Sequence, residues 1–127
     1  MDQPPLPLLT ADTLRTAVGP VDGCPHCAAL RCDSWESVGV PLGPPQLVAV
    51  GTLRDPAIDE PIYDERLEPG MDTWHPRAPV AVRHAPYNRA TVWCCPQCRR
   101  GFLQYTEHGG YYVDHRLRMI DPALISD

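Results

Sequence analysis

The residues richest in chemistry are six cysteines, four of which fall into two matching turns. Cys24-Pro25-His26-Cys27 and Cys95-Pro96-Gln97-Cys98 share the form C-P-x-C. Two cysteines three positions apart on a tight turn bring their sulfurs together, and the N–H groups of the turn point at the sulfurs and stabilise thiolates. A proline between them pre-sets the turn. Two such turns supply the four soft ligands of a tetrahedral site, with Zn–S near ~2.3 Å. One C-x₂-C is weak evidence. The matched pair predicts a tetrathiolate site built from Cys24, Cys27, Cys95 and Cys98, with Zn²⁺ as its metal. A four-cysteine set is closed and leaves no open position for water or substrate. The metal is therefore expected to fasten the fold and not to perform chemistry.

The run "ATVWCCPQC" offers two cysteines side by side. The match to the first turn selects Cys95 as the ligand. Cys94 ends a strand pattern in which neighbouring side chains point to opposite faces. It is expected to face away from the metal, in apolar packing beside Val92, as free cysteines often do. Cys32, read as part of the first strand, is given the same role. Disulfides are the competing use of these thiols, and a reducing compartment disfavours them. A redox dithiol would want a strand-to-helix setting, which the prolines disfavour.

Residues Cys24–Cys32 and Trp93–Arg118 resemble the zinc-ribbon group, which is built from two zinc knuckles and β-hairpins. The pattern departs from the usual knuckle in having Ala28 and Arg99 where glycine commonly follows the second cysteine. The resemblance implies a structural zinc with residues 28–94 as a β-rich insert. Rubredoxins use similar turns for iron, which leaves a thiol or iron redox protein as an alternative.

Other candidates for chemistry are less organised. The five histidines are His26, His75, His84, His108 and His115. "MDTWHP" and "VDHR" invite a second site from Asp72, His75, Asp114 and His115, but nothing in the sequence brings them together. No phosphate-binding loop, nucleophile elbow or dinucleotide fingerprint is present. Trp74, Tyr87, Trp93, Phe102 and Tyr105 lie among arginines, an interleaving that can stack on and neutralise nucleic acid. In strands it more often means core on one face and solvated charge on the other.

The elements that must position the cysteines are short, because sixteen prolines interrupt the chain. A mainly β, zinc-ribbon-like fold in a single domain over residues 1–127 is expected. It begins with a Pro-rich arm, 1–9, and a short N-terminal helix, Thr10–Val18, capped by Thr10. "ALRCDSWESVGV" and "PPQLVAVGTL" read as strands that could pair as a hairpin through Pro41–Pro45. Residues 55–78 read as a long acidic loop with one helical turn near Tyr63–Leu67. "PVAVRHA" and "RATVWC" are two further strands. Phe102–Thr106 and Tyr111–Met119 form the clearest hairpin, across Gly109-Gly110.

Charge is divided along the chain. From Asp55 to Asp72 there are seven acids and one base, Arg66, whereas Thr73–Thr106 holds five arginines and no acid. The two stretches are expected to neutralise each other or to be solvated. The net charge of −5 disfavours bulk nucleic-acid binding. All eleven basic residues are arginine, which suggests the base composition of a GC-rich bacterium. No apolar run approaches the ~18 residues of a membrane helix. The N-terminus does not read as a secretory signal, so a cytoplasmic protein is expected. The leading expectation is a non-enzymatic protein-binding module, its partner another protein met by acidic segment 55–72 or hairpin 102–118. Nucleic-acid binding through Arg83, Arg89, Arg99 and Arg100 is the alternative. An enzyme or redox use of Cys32, Cys94 or the histidines comes third.

Overall fold

A computed structural model describes residues 6–20, 22–30 and 32–127. The fold is mainly β. Helix α1, Ala11–Ala17, is followed by strands β1 (Glu36–Val38), β2 (Val48–Thr52), β3 (Val80–Ala81), β4 (Thr91–Cys94), β5 (Gly101–His108), β6 (Val113–Met119) and β7 (Ile125–Ser126). Five strands form an antiparallel sheet in the order β1-β6-β5-β4-β2, and β3 pairs with β7 in parallel. No described helix is long and apolar enough to cross a membrane.

Local chemistry accounts for α1. The Thr10 hydroxyl accepts from the Thr13 N–H, and the Thr13 hydroxyl accepts from the Thr10 N–H, a reciprocal cap. Leu14 and Val18 share the buried side. Such a short helix persists through packing, and its exit is held against the second cysteine turn. The Gly19 N–H donates to the Arg99 carbonyl at 2.7 Å. A Cβ at Gly19 would lie 2.8 Å from the Cys98 carbonyl oxygen. Gly19→Ala is accordingly expected to cost about 1–3 kcal/mol through overpacking against backbone. An unchanged denaturation midpoint would contradict this.

Strand alternation divides the interior into two cores, one on each face of the sheet. Val92, Cys94, Leu103 and Tyr105 pack with Leu14, Trp35, Val80, Tyr87 and Ile120. Phe102, Leu117 and Met119 pack with Leu47, Cys27, Cys32 and Cys95. Side chains of β6 alternate between the two faces: Leu117 joins the cysteine side, and Arg116 and Arg118 point to the other.

Four expectations are corrected. First, β1 does not pair with β2: the two lie at opposite edges of the sheet, and β1 pairs with β6, Ser37 opposite Arg116. Second, β1 is three residues long, so Cys32 precedes it and does not lie within it. Third, no helical turn forms near Tyr63–Leu67, and Tyr111 and Tyr112 belong to the hairpin turn and not to β6. Fourth, the arginines among the aromatics are not uniformly solvated: Arg77, Arg83 and Arg99 are exposed, whereas Arg89 is half-buried and Arg100 buried, and arginines of β6 also stack on these rings. Arg116 lies 4.7 Å from the Trp74 ring centroid, and Arg89 lies 5.4 Å from Tyr63 and 5.1 Å from Tyr105. Arg118, 1% exposed, stacks on Tyr87 and donates to the Tyr87 hydroxyl and to the Ala78 carbonyl. These contacts pin the irregular loop 55–78 to the sheet. Asn88 Nδ2 adds a bond to the Ile62 carbonyl, and the Ala85 N–H one to Asp64.

Of the arm 1–9, residues 1–5 lie outside the described residues. Pro7 and Leu9 run beside β2, exchanging backbone bonds with Thr52. The strap covers part of an otherwise open sheet edge.

Candidate metal centre

The two cysteine turns are built differently. The first starts from Gly23, at φ +73°, is closed by the Cys27 N–H to the Cys24 carbonyl, and runs into a single 3₁₀ turn, Ala28–Leu30, closed by the Leu30 N–H to the Cys27 carbonyl. The second continues β4. The Cys95 N–H donates to the Arg100 carbonyl, and the Arg99 N–H to the Cys95 carbonyl, before β5 begins at Gly101. Arg99 has φ +67°, the left-handed conformation that glycine takes easily. The departure from the knuckle pattern noted in the sequence is thus absorbed by strain, and the Arg99 guanidinium is tied to the Ala17 carbonyl at 2.8 Å. Ala28 needs no such conformation, since its turn is 3₁₀.

The four sulfurs of Cys24, Cys27, Cys95 and Cys98 lie within 4.8 Å of one another. Cys24 and Cys27 are 4.0 Å apart, Cys24 and Cys95 3.7 Å, Cys27 and Cys98 3.6 Å. Ligands at ~2.3 Å on the corners of a tetrahedron stand about 3.8 Å apart, so the cage has the size of a tetrathiolate metal site. Burial pushes the Cys24 thiol up, but the N–H groups of Cys27 and His26 and the neighbouring sulfurs outweigh it, holding it down at about 7. Burial and the crowding sulfurs push Cys98 up to about 12. Four thiolates at these distances repel one another unless a cation sits among them.

Arg100 supplies an independent observation. It is 2% exposed, and among the described residues its Nε has no hydrogen-bond partner and no carboxylate pairs with it. A Cβ placed on Gly23 would be 2.6 Å from Arg100 Nη1 and 3.3 Å from Cys27 Sγ, so guanidinium and sulfur border one small space. A buried guanidinium is costly without an anion. Four thiolates around a divalent ion carry a net charge of −2, and the residues present fit such a group. In the sequence Arg100 stands only among the four arginines considered for nucleic-acid binding. The available signal was its place two residues beyond the second turn.

The remaining cysteines stand apart from this set. Cys94 is buried in the other core with Val92, and its thiol donates to the Ala17 carbonyl at 3.6 Å. Cys32 packs on the cysteine side, with its thiol donating to the Leu30 carbonyl. Burial raises both thiols, Cys32 to about 12.

The histidines do not assemble a second centre. His26 is exposed, with Nε2 3.2 Å from both the Pro45 and Gln46 carbonyls, which ties the first turn to the loop before β2. Asp72 and His75 each accept a local backbone N–H, from Trp74 and Arg77. Asp114 binds Ser37 and Arg116, while His115 pairs with Thr106. Among the described residues, the four cysteines are the only such ligand group that gathers.

The centre is consistent with a zinc-ribbon-like pair of knuckles. Comparisons with protein-family models, curated proteins and solved structures found no match to the chain.

Proposed function

We propose that the protein is a small non-enzymatic protein-binding module whose fold is fastened by one Zn²⁺ on Cys24, Cys27, Cys95 and Cys98. Four soft thiolates in a closed tetrahedral cage support zinc. The metal supplies a crosslink between the turn after α1 and the β4–β5 connection. The binding reading is carried by acidic segment 55–72. Among the described residues none of its carboxylates enters an ion pair, and Ile58, Ile62 and Tyr63 are exposed beside them. A pinned loop showing unneutralised acids and apolar side chains suits a partner protein with a basic, partly apolar surface.

The tip of hairpin 102–118, with Tyr111, Tyr112 and Val113 exposed, is the second surface on which such a module could dock. Of the four arginines on which nucleic-acid binding would rest, Arg83 and Arg99 are exposed, Arg89 pairs with Glu107, and Arg100 is buried. The redox alternative would use Cys32 or Cys94, both buried with raised thiols.

The test replaces Asp59, Glu60, Asp64 and Glu65 by their amides in the zinc-loaded chain. Binding to a partner isolated from the native cell should weaken at least about tenfold, with more salt dependence in the parent than in the variant. The melting temperature should hardly change, because among the described residues none of these side chains enters an ion pair. A large stability loss, or tight salt-sensitive binding of the parent to oligonucleotides, would overturn the reading.

A further inference from the structure

Acidic segment 55–72 does not lie flat on the protein. Beneath its first part is a cleft of about 330 Å³. Its apolar walls come from four separate pieces of chain: Leu8 and Leu9 of the N-terminal strap, Leu53 after β2, Ile58 and Ile62 of the loop, and Val82 after β3. Leu8, Ile58 and Ile62 are each close to half exposed, at 46%, 49% and 50%. These side chains leave much of their surface in water, although the loop that bears two of them is tied down. The Ile62 carbonyl takes the Asn88 amide, and Arg54 donates to the Asp59 carbonyl.

The cleft wall itself holds Asp55, Arg54 and Arg83, and the loop that covers it carries the excess of acids. Asp59 and Glu60 fall between Ile58 and Ile62 in the chain, and Asp64 follows two residues later. All three are exposed and, among the described residues, unpaired. Arg54 lies in the wall, but its guanidinium is occupied by the carbonyls of Asp55 and Asp59. Arg83 is the other base there. An apolar recess beside a loop with excess negative charge has the make-up of an interface hot spot, where one large side chain is buried and a charged rim sets orientation and excludes water. Its volume is at the lower end of small-ligand pockets, roughly 300–1,000 Å³, and suits one large side chain better than a cofactor.

We infer that this cleft receives a single large apolar side chain from a basic segment of the partner protein, with lysines or arginines flanking that anchor and meeting Asp59, Glu60 and Asp64. The inference rests on the protein-binding reading above and adds to it the anchor and its seat.

The experiment uses the full zinc-loaded chain and labelled twelve-residue peptides that carry lysines and arginines around a central alanine, leucine, phenylalanine or tryptophan. Fluorescence anisotropy should show that a large central residue binds about tenfold or more tighter than alanine. Ile58→Ser with Ile62→Ser should abolish that preference and leave the weaker, salt-sensitive binding common to all the peptides. Both positions are half exposed, so the variant should keep its zinc and melting temperature. Methyl resonances of Leu9, Leu53 and Val82 should shift with the large-centred peptides alone. Equal binding of all the peptides would overturn the cleft as a seat and leave the acidic docking surface standing. No peptide binding would overturn both. Saturable binding of free indole in the cleft, without peptide competition, would make it a small-molecule site and overturn the proposal.

Discussion

Cys95→Ser protein should be purified with little or no zinc, and Cys94→Ser protein with about one equivalent per chain. The two residues are neighbours, but strand alternation at the end of β4 sends their side chains into different cores. Cys95 Sγ lies 3.7 Å from Cys24 Sγ, whereas Cys94 Sγ meets the Ala17 carbonyl. Serine can keep the bond to that carbonyl at 94, but a neutral hydroxyl at 95 breaks a tetrathiolate cage. Structural zinc contributes on the order of 10–16 kcal/mol in finger peptides, against a whole-domain stability of ~5–15 kcal/mol. A strong chelator should therefore have an effect like Cys95→Ser and raise hydrogen exchange in 22–30, 32–35 and 92–118 together. Elemental analysis and exchange measurements check both. Iron in place of zinc, metal retained by Cys95→Ser but lost by Cys94→Ser, or exchange unmoved by metal removal would refute the assignment.

The other large effect is expected at a residue that holds no metal. Arg100→Met should lower the stability of the zinc-loaded protein by about 3–5 kcal/mol, the usual cost of removing one partner from a buried charge pair. It should also weaken zinc binding by about 10- to 100-fold, as loss of a group supporting the ligands does. Methionine replaces the apolar stem of the side chain but leaves the dianionic cage without its buried cation. Arg100→Lys should recover only part of the loss, since an ammonium cannot reproduce the planar fork of donors. The stability penalty should shrink in metal-free protein at acid pH, where the thiols are protonated. If Arg100→Met bound zinc like the parent, the guanidinium would not be compensating the thiolates.

The metal-site candidates were legible in the sequence because the signal is local. Three-residue spacing within each turn and period-two alternation along β4 depend on the backbone alone. They distinguish Cys95 from Cys94 before any tertiary contact is known. The cap at Thr10 and the glycine turn of the β5–β6 hairpin are local in the same sense. Strand order is a different matter. The edge strand β1 is only three residues long, and its place beside β6, far along the chain, rests on long-range packing that no spacing encodes. The same holds for the C-terminal residues Ile125–Ser126, which pair with β3 and which the sequence reading left unassigned.

What the sequence determined by itself, then, is two cysteine turns of one form, a mainly β chain broken by prolines, and a division of charge. Only the tertiary structure decided where the charges go. An arginine among aromatics in a strand satisfies the same pattern whether its face is wet or dry, and a carboxylate run reads the same whether or not it is neutralised. Burial of Arg100 beside the sulfurs and of Arg118 on Tyr87, with the acids of 55–72 left unpaired among the described residues, follows from which surfaces meet. The energy of a charge depends on its dielectric surroundings and its neighbours, and those are properties of the folded chain.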